Sequence, residues 1–328
     1  MNEDAQHGVP PPIHMNPVTV LITSAGTASA VSVIKALKRQ RDLPVRIVAL
    51  DADKTAAGLR LADESAIIPR VSDPTYIPTL HDLCRQHDAM VLIPIYSKEM
   101  EVVSTNAADF ADAGVKTLLS RPEVIQLAND KYAMAEFVRS IGVEAPEFVP
   151  NSSWPGFPVI GKRNRSSGSE GLCFIENERD WEYWTEKYPD YLFQRFVKGT
   201  EYTVDVLCNC QSECLACSPR SRLLVKAGQS VKGRTERKPE IEELTRKICC
   251  EAKTVGPVNL QFIQSPDGLY FIELNPRLAA GGLMLTVMAG ANIPAMLVRL
   301  ALGEHVEPVT CREDVLMVRY WEELFLNL

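Results

Sequence analysis

The sequence predicts two unlike halves: an α/β domain built on a parallel sheet, then an α+β half rich in short strands. Three observations carry this. First, "VTVLITSAG" (18–26) is an apolar run closed by small residues; it passes into the helically spaced "TASAVSVIKALKRQ" and then into "PVRIVALDAD", which ends at Asp51 and Asp53. Strand, tight turn, helix, strand is a βαβ unit. Second, the alternation continues through the helix "YIPTLHDLCRQH", the strand "MVLIPIY", the helix "EMEVVSTNAADFADAG" and the strand "KTLLS". Such alternation implies a parallel sheet with ligands at the carboxyl ends of its strands. Third, the pattern changes near Arg121, and from Pro158 onward short strands dominate.

The elements follow in order. The turn Ser24-Ala25-Gly26-Thr27 offers backbone N–H groups to an anion or serves as a plain tight turn; it is not G-x-G-x-x-G. "RPEVIQLANDKYAMAEFVRSIGVEAPEF" reads as two helical stretches with a glycine stop at Gly142 and an exit through Pro146. The strands "FPVIGKRN", "GLCFI", "YLFQRFV", "EYTVDVLC", "CLACSPR" and "RLLVKAG" come next, then the helix "KPEIEELTRKICCEAKTVG". "GPVNLQFIQ" and "GLYFIELN" form a hairpin about "SPDG". Leu278 to Val298 runs 21 residues without a charge, long enough for a bilayer span, but its Gly pair, Asn292 and Pro294 point to a buried helix pair.

Composition narrows the function classes. The chain has 328 residues and a net charge of −7, which argues against nucleic acid or an anionic membrane surface as partner. The start, "MNEDAQHGVPPPIHMNP", is acidic and proline-rich, with neither a basic nor an apolar signal region; residues 1–16 are expected to be a disordered tail on a cytoplasmic protein. Of nine cysteines, Cys208, Cys210, Cys214 and Cys217 crowd into "CNCQSECLACS". They read as a zinc site or as free thiols at a hairpin tip. A disulfide framework does not suit a long reduced chain. The terminal "MVRYWEELFLNL" is expected to cap the core rather than form an interface, and a homodimer stays open.

Three motifs carry chemistry. Glu273 and Asn275 share a face of an extended strand, and Gln261 lies on the strand paired with it. Three oxygen donors suit Mg²⁺ completed by phosphate and water, or else form a polar ladder within the sheet. In "VIGKRNRSSGSEGLCFI", Lys162 ends a strand before the Gly/Ser run Ser166 to Gly171, with Arg163 and Arg165 adding positive charge. Such a loop suits phosphates or is an exposed hairpin loop; it is not a Walker loop, because no helix follows. In "YLFQRFVKGTEYTVDV", Gln194 precedes a break at Lys198-Gly199 and Glu201 follows it, as in a linker passing a nucleotide base or in a simple strand-turn-strand. The five histidines lie away from these motifs, which speaks against a Ser-His hydrolase or a histidine-based metalloenzyme.

In this order and spacing, "NDKYAMAEFVRSIGVEAP", "PVIGKRNRSSGSEG", "YLFQRFVKGTEYTVDV", "KAGQSVKG" and "GPVNLQFIQSPDGLYFIELNPR" resemble the ATP-grasp superfamily over about residues 17 to 328. The likeness is to the branch of carbamoyl phosphate synthase large-subunit domains and small carboxylate–amine ligases. It implies an N-terminal Rossmann-like pre-ATP-grasp domain over 17–120 and a two-lobed ATP-grasp domain over 121–328, with a phosphate-covering lobe at about 147–193. It implies ATP with Mg²⁺, or Mn²⁺ in its place. Lys131 and Lys162 would contact phosphate, with Ser167, Gly168 and Ser169 closing over it. Gln194 would face the adenine amino group, Arg195 and Val197 would line the base, and Glu201 would take the ribose. Gln261, Glu273 and Asn275 would hold the metal; Arg277 would stabilise the transferring phosphoryl group, with Lys226 and Arg220 as further cations. Glu is common at the position of Gln194, and acid or proline at that of Arg195, so base selectivity is where this chain departs from the pattern.

The implied activity joins a carboxylate, activated as an acyl phosphate, to an amine, with an amino acid or peptide among the substrates. The acceptor would sit between Arg277, the Gly281-Gly282 turn and "IPIYSKE", where Tyr96 and Glu99 read as surface side chains or as contacts to it. The alternatives are a carbamoyl-phosphate-type enzyme acting on bicarbonate or carbamate, and a non-catalytic ATP-binding module.

Overall fold

The computed structural model describes residues 16–165, 171–226, 228–320 and 322–325. The tail expected over 1–16 therefore lies, but for Asn16, outside the described residues, as do Ser167, Gly168 and Ser169.

The first layer is a parallel sheet. It takes β1 (Val18–Ile22), β2 (Val45–Asp51), β3 (Glu64–Ile67) and β4 (Val91–Ile93) in the order β3-β2-β1-β4. Strand β3 was not foreseen, because its alternating "ESAI" lacks an apolar run. "KTLLS" contributes only a bridge from Lys116 to Val91. Helices α1 (Ala28–Lys38), α2 (Gly58–Leu61), α3 (Tyr76–Gln86), α4 (Ser97–Thr105) and α5 (Ala107–Asp112) complete this region. The single helix expected over 99–114 is two, broken at Asn106. Strand periodicity buries both faces of the sheet: Val18, Val20 and Ile22 enter one apolar cluster and Leu21 the other.

Helices α6 (Pro122–Asn129) and α7 (Lys131–Ser140) follow, and Gly142 ends the second at φ +75°. A small antiparallel sheet then forms from β5 (Phe148–Val149), β6 (Val159–Arg163), β7 (Cys173–Ile175) and β8 (Tyr191–Arg195), in the order β5-β8-β6-β7, covered by α8 (Glu178–Lys187). It has its own core of Val159, Ile175, Trp181 and Phe193.

The largest sheet has six strands in the order β13-β12-β9-β10-β11-β14. They are β9 (Thr200–Cys208), β10 (Cys214–Lys226), β11 (Gln229–Thr235), β12 (Gly256–Ser265), β13 (Gly268–Asn275) and β14 (Leu316–Val318), with α9 (Pro239–Glu251) packed on one face. The two strands expected over 214–220 and 222–228 are replaced by one, β10, carrying register irregularities near Ala216 and Leu224. The apolar stretch after β13 is α10 (Leu283–Met288) and α11 (Ile293–Ala301), the buried pair expected, and the structure packs it against α1. Among the described residues no helix is long and apolar enough to cross a membrane. The described residues of "MVRYWEELFLNL" do not cap the core as expected: Val318, Tyr320, Leu324 and Phe325 are all exposed, because β14 is the sheet edge and leaves one face open.

Candidate functional site

The face of the six-stranded sheet that turns away from α9 carries the polar residues. On β9, Tyr202, Val204, Val206 and Cys208 enter the core beneath α9, so Thr203 and Asp205 point the other way. On β12, Val258, Leu260 and Phe262 do the same, which leaves Asn259 and Gln261 on the opposite face. The hairpin to β13 places Gln261 opposite Glu273 and Asn259 opposite Asn275. The antiparallel pairing expected of "NLQFIQ" with "YFIEL" is thus present. It also contains a bulge: Gln261 pairs with Glu273 but Phe262 pairs with Phe271, so Ile272 is the extra residue.

These side chains form one wall of a cavity of about 460 Å³ between the six-stranded sheet and the small four-stranded sheet. Asn275 donates to Glu273 Oε1 at 2.9 Å and to Asn259 Oδ1 at 3.4 Å, which leaves its side-chain Oδ1 directed to no donor among the described residues. Arg277 follows at the end of β13. Its Nε donates to Ser97 Oγ at 2.7 Å and one terminal nitrogen to Leu278 O at 3.1 Å, so the first domain reaches the cavity through α4. Burial, partly offset by the nearby Glu273 carboxylate, holds this guanidinium below its ordinary range.

The opposite wall comes from the small sheet and α7. Lys162 on β6 is buried and donates to Gln194 Oε1 at 2.7 Å, while Gln194 Nε2 donates to Pro146 O at 2.8 Å. Burial, partly offset by Glu273, brings the ammonium of Lys162 down to about 8. Lys131 is the first residue of α7, set by the Asp130 cap that accepts from Ala133 N; its Nζ lies 3.2 Å from Asn164 O. Burial lowers it too, with Glu273 and Asp130 acting in the opposite direction. Arg195, Val197 and Glu201 line the cavity beside apolar Ile160, Leu172 and Phe196.

The structure moves several expected residues. Gln194 already has a partner on each end of its amide, so one lone pair of its oxygen is all that faces an incoming donor. Arg220 is on the cavity wall but is held by Asp205, with contacts of 3.0 and 3.2 Å, and by Ser230 Oγ at 3.4 Å, while Thr286 donates to the same carboxylate at 2.5 Å. Lys226 is exposed at the far end of β10, outside the wall formed by the described residues. Glu99 is no surface residue: it is 4% exposed and accepts from Thr23, Ser24, Tyr76 and the Tyr96 N–H. The Ser24–Thr27 turn closes on its own chain, with Gly26 N donating to Asp51 and Thr27 capping α1.

Two site residues escaped the sequence reading. Arg222 bonds Glu201 at 2.9 Å and Gln261 at 3.4 Å, and its buried Nε has no partner among the described residues. Asn259 is buried and donates to Arg277 O at 2.9 Å. Both signals were available: Asn259 is two residues before Gln261, and Arg222 two after Arg220, so each shares its neighbour's face.

With this geometry in hand, the comparisons are specific. Residues 187–324 match a family model described as ATP-grasp in the biosynthetic pathway with Ter operon, and residues 20–118 match the PylC-like N-terminal domain. The ATP-grasp match thus falls on the C-terminal part of the chain, residues 187–324. Solved ATP-grasp relatives share its fold at low identity. Biotin carboxylase from Campylobacter jejuni, in complex with β,γ-ATP, aligns with a TM-score of 0.69 at 18% identity over 88% of this chain and 71% of that one. The biotin carboxylase domain of 2-oxoglutarate carboxylase from Hydrogenobacter thermophilus, described as a dimer with MgADP, ADP and bicarbonate, gives 0.69 at 22% identity over 90% and 72%. Rhizobium etli pyruvate carboxylase gives 0.69 at 19% identity over 89% of this chain but 30% of that one. The parallel sheet followed by an antiparallel ATP-grasp domain is the architecture these proteins have in common.

Proposed function

We propose that the protein is an ATP-dependent ligase that couples a carboxylate to an amine. The observation that carries the reading is convergence on one cavity: Glu273, Asn275 and Gln261 on one wall, Lys131 and Lys162 on the other, and Arg277 between them and the first domain. An oxygen-only donor set of one carboxylate and two amides fits Mg²⁺, which takes few protein ligands and keeps water or phosphate for the rest. Glu273, Asn275 and Gln261 would hold the ion, which supplies charge neutralisation on the transferring phosphate.

The chain's own side chains do the remainder. Lys131 and Lys162 neutralise and orient phosphate oxygens; the apolar wall at Ile160, Leu172 and Phe196 receives the base; Glu201 meets the ribose. A carboxylate oxygen of the acid attacks the γ-phosphorus, the bond to the bridging β,γ-oxygen breaks, and ADP leaves. The nitrogen of the amine then attacks the acyl carbon, the bond to the phosphate oxygen breaks, and the nitrogen loses a proton as inorganic phosphate departs. Arg277 faces both steps, since negative charge grows on the transferring group in the first and on the leaving phosphate in the second.

The test is ADP release by the purified protein with Mg·ATP against amino acids, small peptides, other carboxylic acids and bicarbonate, with and without amines. Release that requires one acid and rises with an amine supports the ligase. Release with bicarbonate and ammonia alone replaces it with the carbamoyl-phosphate reading. Glu273→Ala is expected to abolish the turnover while leaving the circular dichroism spectrum unchanged; undiminished turnover would remove the metal assignment.

A further inference from the structure

On the far side of the six-stranded sheet, under α9, three cysteines meet. Cys208 ends β9, Cys214 begins β10, and the two are register partners across the hairpin. Cys249 reaches them from the last turn of α9. The three Sγ atoms all lie within 4.8 Å of one another, and those of Cys208 and Cys214 are 3.8 Å apart. Cys208 and Cys249 are fully buried and Cys214 is 8% exposed. This is not the set that the sequence spacing suggests. Cys210 is exposed at the hairpin turn, Cys217 lies outside the trio, and Cys249 is some forty residues further along the chain.

Ligand type and spacing decide what could bind here. A metal held by three thiolates at ~2.3 Å in a plane sets the sulfurs ~4 Å apart, close to the separations present. Neither histidine nor carboxylate joins the trio among the described residues, so hard ions such as Mg²⁺ and Ca²⁺ have no donors here. Thiolate-only ligation selects soft, thiophilic ions. A further polar atom, Thr254 Oγ1, lies 3.2 Å from Cys208 Sγ. Arg246 on α9 donates to Cys214 O at 2.9 Å, which puts a positive charge beside a site that becomes anionic when its thiols ionise. The slight exposure of Cys214 beside the hairpin turn gives an ion a way in.

We propose that Cys208, Cys214 and Cys249 form a three-coordinate site for a thiophilic d¹⁰ metal ion, separate from the nucleotide cavity and on the opposite face of the same sheet. Each thiol gives up its proton as its bond to the metal forms, and no electron is transferred. A bound ion would pin α9 to the β9–β10 hairpin, because its ligands come from both.

Cd²⁺ added alone to the chelator-treated, reduced full-length chain is the probe. The expected result is one equivalent bound, a sulfur-to-metal charge-transfer band, a raised unfolding midpoint, and three sulfur neighbours by X-ray absorption at the cadmium edge. Cys214→Ala and Cys249→Ala should each lose the band, and Cys210→Ser should keep it. The X-ray measurement uses the unaltered chain and stands even if an alanine variant fails to fold. Failure to bind one equivalent, an oxygen-only shell, fewer than three sulfurs, survival of the band in folded Cys249→Ala, or its loss in Cys210→Ser would each overturn the site. Competition by Zn²⁺ or Cu⁺ then tells which ion of the class the site prefers.

Discussion

At the scale of single residues, Lys162 and Asp205 show how burial sets chemistry and stability. The folded-state value for Lys162, about 8, lies below the ordinary 10.5. Between those two values the unfolded chain binds more protons than the folded one, so this residue makes stability rise with pH across that window. Its charge runs the other way for ligand binding: it is present below about 8 and lost above. Affinity of the free protein for ADP is therefore expected to fall as pH passes that value, and Lys162→Met should flatten the profile; calorimetric titration on both sides of it is the check. A profile unchanged by the substitution would place the titrating group elsewhere. Asp205 has a different task. With Arg220 it makes an ion pair whose side chains are both 3% exposed, and Thr286 donates to the same carboxylate. Asp205→Ala leaves a buried guanidinium without its partner and should cost about 3–5 kcal/mol in urea unfolding, as one-sided losses of buried pairs do.

At the scale of elements, the small four-stranded sheet stands out because it owns its core. Trp181 on α8 is 3% exposed and packs its ring 4.8 Å from Phe193 and 5.9 Å from Trp154. Trp181→Ala should remove about 3–5 kcal/mol of packing from that lobe. Because this lobe's cluster is separate from those of the two larger sheets, hydrogen exchange should quicken over 148–195 and stay unchanged elsewhere. Nucleotide affinity should fall with it, since Lys162 and Gln194 sit on this sheet. Uniform acceleration across the chain would show that the lobe does not open independently. Much at this scale was legible beforehand. The βαβ start, the helix pair ending at Gly142 and the hairpin at "SPDG" each follow from local patterns. Strand β3 was not, because four residues of alternating burial give no apolar run, and β10 reads as two strands, "CLACSPR" and "RLLVKAG", separated at Ser221.

At the scale of the whole molecule, the halves share a core, because α10 and α11 pack on α1 and Leu207, Leu215 and Ala216 of the six-stranded sheet join the cluster of β1 and β2. Ser120 Oγ donates to Val255 O at 3.0 Å and accepts from Val255 N at 2.9 Å. Next to that joint Gly256 has φ +77°, and a Cβ there would lie 2.2 Å from Leu118 O. Gly256→Ala combines a left-handed backbone with a backbone collision. It should cost more than about 1–3 kcal/mol, the strain of such a conformation alone, and lower the thermal midpoint of both halves together. Separate transitions, with only one half affected, would show that the joint does not couple them. A further contact, Arg277 on Ser97, links the first half to the cavity.

Sequence alone determined the class of fold, the order of the halves and the identity of most polar and charged cavity residues. Those depend on local periodicity and on short motifs whose spacing survives in one dimension. It also gave Glu273, Asn275 and Gln261 as one group, because period two along a strand and a tight turn between strands fix which side chains share a face. Tertiary structure decided the rest. It drew Arg220 into a buried ion pair and Glu99 into a closed hydrogen-bond cluster, brought Arg222 and Asn259 onto the cavity wall, and paired Cys249 with Cys208 and Cys214 from a distant helix. Each depends on which groups from remote segments arrive beside a buried charge or sulfur. Burial raises the cost of leaving a polar group unpaired, so partners are chosen in three dimensions, and a linear pattern does not record them.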